Sequence, residues 1–166
     1  MQRSDEKESL IATNKKAYHD FFIDETLEAG LALVGTEVKS LRDKKADLQD
    51  SFARFDVDRQ ARHSASSPPA LFLYNAYIAP YTHGNIFNHE PRRKRRLLIT
   101  KRELWKLFGK LQIKGFTLIP VRLYFNKRGF AKVALAIARG KKLYDKRAVL
   151  AKKSAQREIE RGMKQR

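Results

Sequence analysis

Apolar and polar positions change rhythm several times along this chain, and each change marks an element. Residues 1–13 are polar and without periodicity, which reads as a flexible leader. His19-Asp20-Phe21-Phe22-Ile23 reads as a short strand, and Asp24 then stands as the N-cap of a helix over DETLEAGLAL. Leu27, Leu31 and Val34 keep helical spacing there, and Gly30 and Gly35 limit the helix's length. A second short helix is predicted over Glu37–Asp43, with Val38 and Leu41 facing inward.

Strand character follows. Leu48–Val57 alternates around Phe52, Phe55 and Val57, and Ala70–Ile78 is rich in aromatics and β-formers. Between them DRQARHSASSPP is polar, small and proline-bearing, so it is a hairpin connection or a flexible loop. Thr100 and Glu103 form a capping box before a helix whose Leu104, Leu107, Phe108 and Leu111 recur at three- and four-residue steps. Thr117–Phe125 and Phe130–Ala138 then flank Asn126-Lys127-Arg128-Gly129, a tight hairpin with glycine at the positive-φ position. Antiparallel strands with about three short helices predict a mainly β domain over residues 14–139, a small closed antiparallel β-barrel. From Gly140 the pattern fails, and residues 140–166 read as a basic tail.

Charge changes the picture most. The chain of 166 residues carries 36 Lys+Arg against 18 Asp+Glu, a net +18. A field of that size attracts polyanions, and every cation seated on a phosphate releases counterions. Neither a long apolar span nor a strongly amphipathic basic helix favours a membrane over nucleic acid as the partner. The N-terminus has no apolar secretory core, and cysteine is absent, which together fit a cytoplasmic protein.

Catalytic chemistry finds little support. His19, His63, His83 and His89 show no metal-ligand spacing, and GTEVKS lacks the glycines that cradle phosphates. No cofactor, metal or small-molecule substrate is expected, and the chain does not read as an enzyme. Asn14-Lys15-Lys16-Ala17-Tyr18-His19-Asp20-Phe21 mixes cations, hydrogen-bonding groups and rings, as a surface that stacks bases and holds phosphates does. Pro91 is followed by Arg92, Arg93, Lys94, Arg95 and Arg96, which form either a solvated loop or, beside Asn88 and His89, a phosphate clamp. Glu28 is out of character on such a surface: it is either a helix-surface carboxylate or a partner to a nearby base or cation that fixes geometry.

These residues resemble a known family. NKKAYHDFFI, EAGLALVGTEVKSLRDKKADLQDSF, NAYIAPY, NHEPRRKRRLLI, TLIPVRLYF and ARGKKLYDKR occur in the order seen in bacterial small protein B. The resemblance implies an oligonucleotide-binding-type β-barrel with three helices and a tail that is unstructured in solution. It implies binding to the tRNA-like domain of transfer-messenger RNA, delivery with elongation factor Tu to stalled ribosomes, and resumption of translation on a tag-coding segment. Asn14, Lys15, His19, Phe21 and Glu28 match the family's RNA-facing motif, with Lys16 beside them. Lys39, Arg42, His89, Arg92 and Arg93 are implied as further contributors. In the tail, Gly140, Lys141, Lys142, Asp145, Lys146 and Arg147 match the GKK…DKR signature. Tyr144 takes the ring position that would stack in the decoding centre of the small ribosomal subunit.

The tail cannot offset its ordering entropy by burial, so it is expected to stay disordered alone. It is expected to become helical from about Ala148, in an mRNA channel left empty by a truncated message. The long 58–69 segment departs from the family's tight turn and reads as a tolerated insertion. A general RNA-binding or ribosome-associated barrel without a rescue role is the alternative. Preference for the tRNA-like RNA over bulk tRNA separates the two.

Overall fold

The computed structural model describes residues 8–56, 70–84, 88–113 and 115–142. The 58–69 insertion and the tail positions Tyr144, Asp145, Lys146 and Arg147, with the helix expected beyond them, lie outside the described residues. The elements in chain order are β1 (Ser9–Thr13), α1 (Lys15–Asp20), β2 (Phe21–Leu31), α2 (Gly35–Arg42), β3 (Ala46–Asp47) and β4 (Phe52–Asp56). They continue as β5 (Ala70–Tyr74), β6 (Tyr77–Ile78), β7 (Arg95–Leu98), α3 (Lys101–Leu111), β8 (Phe116–Phe125) and β9 (Ala131–Gly140). The main sheet has the order β1-β8-β4-β5-β7-β2-β9, and a further β8–β9 pairing closes it into a ring. All its pairings are antiparallel. The mainly β barrel with three helices is therefore as expected.

Local signals were read correctly where they were self-contained. The α3 capping box forms, with the Thr100 hydroxyl accepting from the Glu103 amide. Leu107 is buried, and Leu104 and Leu111 pack against the core. The β8–β9 turn places Gly129 at φ 76°, a conformation that suits a residue without Cβ.

Several expectations are corrected. Ser9–Thr13, assigned to a loose leader, is a strand paired with β8 from Ser9↔Phe125 to Thr13↔Arg122. His19 and Asp20 end a helix rather than begin a strand. The predicted helix after Asp24 is instead the far half of β2, which pairs with β9 from Phe21↔Gly140 to Gly30↔Lys132. Leu27 and Leu31 satisfy a four-residue step, but with Ala29 they also alternate, and pairing with β9 selects the alternation. Asp24 caps nothing there; its carboxylate lies 3.4 Å from Arg139 on the neighbouring strand. Ala70–Ile78 is two strands, because Asn75 turns the chain at φ 57°, a region asparagine tolerates better than most residues. Leu48 lies outside β4 but is fully buried.

A bulge in β2 between Ile23 and Glu25 decides which side of the barrel wall each half serves. Beyond it Leu27, Ala29 and Leu31 join Leu118, Leu123, Val133, Leu135 and Ile137 in the barrel interior. Before it Phe21 and Ile23 join a second cluster on the outer side, formed by Ala17, Ile119, Val121, Tyr124, Ala134, Ala136 and Ala138. That outer cluster is the seat of α1.

Candidate nucleic-acid interface

Helix α1 has only six residues, too few for intrinsic helicity to hold it, so its anchors come from tertiary structure. Asn14 caps it: the side-chain oxygen accepts from the Ala17 amide at 3.0 Å. Asn14 Nδ2 donates to the carbonyls of Leu48 at 3.0 Å and Pro120 at 3.2 Å, and the residue is 5% exposed. Asn14 was expected to face RNA; in the folded chain its side chain is buried and its polar atoms are partnered within the protein. Its side chain is spent on the fold, and it pins the helix that carries the exposed cations.

Those cations are Lys15 and Lys16, with Tyr18 and His19 beside them, all exposed. Lys15 has no side-chain hydrogen bond or ion pair among the described residues. Lys16 reaches Asp50 at 2.7 Å, a pairing that raises its pKa above the usual lysine value through the hydrogen bond and then the charge of Asp50. His19 Nδ1 lies 2.8 Å from Asp20 Oδ1. Phe21 is half-buried in the outer cluster and so supports the helix, while the adjacent Phe22 is exposed.

The root of the tail is fastened to the same helix. Lys141 donates from its backbone amide to the Asp20 carbonyl at 2.9 Å and from Nζ to the Tyr18 carbonyl at 2.9 Å. Its ammonium also lies 5.0 Å from the centroid of the Phe22 ring. Cations at a helix C-terminus are favoured by its unpaired carbonyls, and Lys141 takes that place from a distant strand. Gly140, Lys141 and the motif residues of α1 are thus in one place.

Glu28 sits farther along the outer face of β2, opposite Ala134. It accepts from the Tyr124 hydroxyl and pairs with Lys132 Nζ at 2.9 Å. The hydrogen bond from Tyr124, then that from Lys132, hold the Glu28 carboxyl below the usual glutamate value. Burial and the Glu28 bond push the Tyr124 phenol up to about 12. Glu28 thus lies on a strand rather than a helix, with its side chain 49% exposed and paired with a cation.

The second predicted group divides. Lys39 and Arg42 are exposed on α2, and Lys39 Nζ stands 5.3 Å from the Tyr81 ring centroid. Arg92 is exposed, over the Tyr77 ring at 5.6 Å. His89 is different: it is buried, with Nδ1 at 3.0 Å from the Thr36 hydroxyl and Nε2 at 3.1 Å from the Ile78 carbonyl. Arg93 is bound in a fork to Glu37, at 2.9 Å and 2.6 Å. Both were expected to touch RNA; both hold α2 against the barrel, His89 buried and Arg93 with 29% of its side chain exposed.

Glu37 and Arg95 form the centre of that joint, which sequence reading missed. Arg95 Nε donates to Glu37 Oε1 at 2.8 Å, and three further guanidinium hydrogen bonds reach the carbonyls of Ala76, Pro91 and Arg93. Burial opposes ionisation of Glu37, but the Arg93 hydrogen bond, the Val34 amide and both guanidinium charges hold its pKa below the usual value. The one available signal was alternation: Arg95 and Leu97 are inward, while Arg96 and Leu98 are outward. Among the described residues no group of three or more His, Cys, Asp or Glu side chains is arranged to hold a metal. No described helix is long and apolar enough to cross a membrane.

A closed antiparallel barrel with a cation-bearing helix seated on its outer wall is a barrel of the oligonucleotide-binding type. The chain belongs to the SmpB family, whose sequence signature, described as "SmpB protein", matches residues 11–165. The SsrA-binding protein of Moorella thermoacetica is 50% identical to it over 157 residues, covering 95% of this chain and 94% of the relative. That of Carboxydothermus hydrogenoformans is 52% identical over 159 residues, covering 96% and 99%. A chain from the solved structure "tmRNA-SmpB: a journey to the center of the bacterial ribosome" matches with a TM-score of 0.61 at 53% identity, covering 79% of this chain and 84% of that one.

Proposed function

We propose that this protein binds the tRNA-like domain of transfer-messenger RNA and brings it to stalled ribosomes, where a peptide tag is added to the unfinished chain. Support comes from the family relationship and from one observation above the rest: exposed Lys15, Lys16 and His19 share α1 with the clasp of Lys141. A helix that contacts folded RNA and a tail whose root is fastened to that helix suit a protein working on two RNAs at once. The cations of α1 contact phosphates, and Phe22 and Tyr18 offer rings to unpaired bases. Lys39, Arg42 and Arg92 extend the basic surface. Gly140 to Arg147 lead the tail into the decoding centre, with Tyr144 as the stacking ring and Asp145, Lys146 and Arg147 beside it. Elongation factor Tu escorts the charged RNA, and the protein works in the cytoplasm without catalytic chemistry of its own.

The test is capture of RNA from a bacterial extract on the immobilised full chain in moderate salt. The expected result is enrichment of transfer-messenger RNA over bulk tRNA, lost in a K15A/K16A/H19A variant. Capture of bulk RNA without preference would leave a general RNA-binding barrel as the better reading.

A further inference from the structure

The far end of the β8–β9 hairpin has a chemistry that the α1 surface leaves unused. Phe130 is 63% exposed and Leu98 53% exposed, and both line a groove of about 340 Å³ with Gly30, Leu31, Asn126 and Arg128. Single exposed apolar residues are ordinary on a protein surface. This pair differs because the turn beneath it is rigid. The Asn126 side-chain oxygen accepts from the amides of Arg128 at 3.0 Å and Phe130 at 2.9 Å. The Asn126 amide also donates to the Phe130 carbonyl at 3.0 Å, and the Gly129 amide donates to the Asn126 carbonyl at 2.9 Å. The turn is therefore ordered before any partner arrives, which lowers the entropic cost of binding.

The charges point the same way. No carboxylate lines the groove, and its Lys132 is already paired with Glu28 at 2.9 Å. Lys127 and Arg128 are exposed, and neither side chain has a hydrogen bond or ion pair among the described residues. We propose that this hairpin tip is a contact for single-stranded RNA, with Phe130 stacking on an unpaired base and Lys127 and Arg128 holding the flanking phosphates. A protein partner fits less well. Two exposed apolar side chains cannot anchor the roughly 800 Å² per partner of a stable protein interface, whereas one ring suffices for one base.

Ten residues of β9 separate the tip from the root of the tail, a span of about 33 Å. The tip is therefore a separate contact, and it does not depend on the role given to α1.

The test uses the full chain carrying W105F, which removes the single tryptophan, together with F130W as a reporter. A short single-stranded oligoadenylate should quench the F130W indole saturably. F130A should weaken oligoadenylate binding by roughly tenfold, the range of one base–aromatic stack. K127A/R128A should lower the salt slope of binding by about 1.4, from about 0.7 per single-strand phosphate contact. The exposed pair K101A/R102A on α3 serves as a control for general charge, and equal thermal midpoints exclude unfolding. No quenching, or equal effects of the tip and control pairs, would overturn the proposal. Capture of transfer-messenger RNA by the tip variants reports separately on α1, so the two readings fail independently.

Discussion

Glu37 and Arg95 meet 2.8 Å apart with neither side chain exposed to solvent. The pair joins α2 to β7, and its atoms are partnered within the protein: no buried side-chain nitrogen or oxygen among the described residues lacks a hydrogen-bond partner. Removing one member strands the other charge. E37L and R95M are each therefore expected to destabilise the barrel by about 3–5 kcal/mol, and E37L/R95M by much less than the two single changes summed. Urea unfolding of the four proteins measures the coupling, and simple additivity would show that the pair is not the joint.

Acid should act through the same carboxyl. The folded pKa of Glu37 lies below its ordinary value of 4.5, so the unfolded chain binds the proton more readily. Stability from this group is present above pH 4.5 and is lost as pH falls through the lower folded value. Unfolding free energy should fall with acid in that window. The part of the fall due to Glu37 should vanish in E37L/R95M, which a series of urea titrations across the window would detect.

Asn14 and Lys15 are neighbours in sequence with different work, and their variants should separate. N14A removes a helix cap and leaves the Leu48 and Pro120 carbonyls short of a donor, an expected loss of about 1–3 kcal/mol. K15A is expected to leave stability within about 0.5 kcal/mol, as an exposed surface change does, while weakening RNA binding. Thermal unfolding paired with an RNA-binding titration distinguishes the two. A stability loss in K15A equal to that in N14A would contradict the division.

Lys141 is expected to matter for the tail's aim more than for RNA affinity. K141M should keep the fold and should hold the tRNA-like RNA to within about threefold of the wild type, about one phosphate contact at most. It should reduce tagging on a truncated message by more than that. Reconstituted tagging alongside an RNA-binding titration checks the split, and parallel losses would place Lys141 in the RNA contact itself.

What could be read from the sequence depended on how far apart the deciding residues lie. The Asn126–Gly129 turn and the Thr100–Glu103 cap are complete within a few residues, and both were legible. The cations of α1 were legible as a composition of side chains. That Asn14 faces inward was not, because its partners are 34 and 106 residues away. Arg95 was read with its basic neighbours because Glu37, which buries it, lies 58 residues earlier. β2 was misread because Leu27 and Leu31 fit both periods until β9, more than a hundred residues later, chooses between them.

The bulge in β2 makes the length of this strand matter as much as its composition. Asp24 is the extra residue, so its loss would leave Ile23↔Ala138 and Glu25↔Ile137 as consecutive pairs and each half on its present face. Loss of Thr26, within the regular ladder, would put one half on the wrong face: either Leu27, Ala29 and Leu31 leave the interior, or Phe21 and Ile23 enter it. In the second case helix α1 would lose its floor. Point changes in this strand keep its two halves in phase, but a single deletion outside the bulge sets the interior and the seat of α1 against one another.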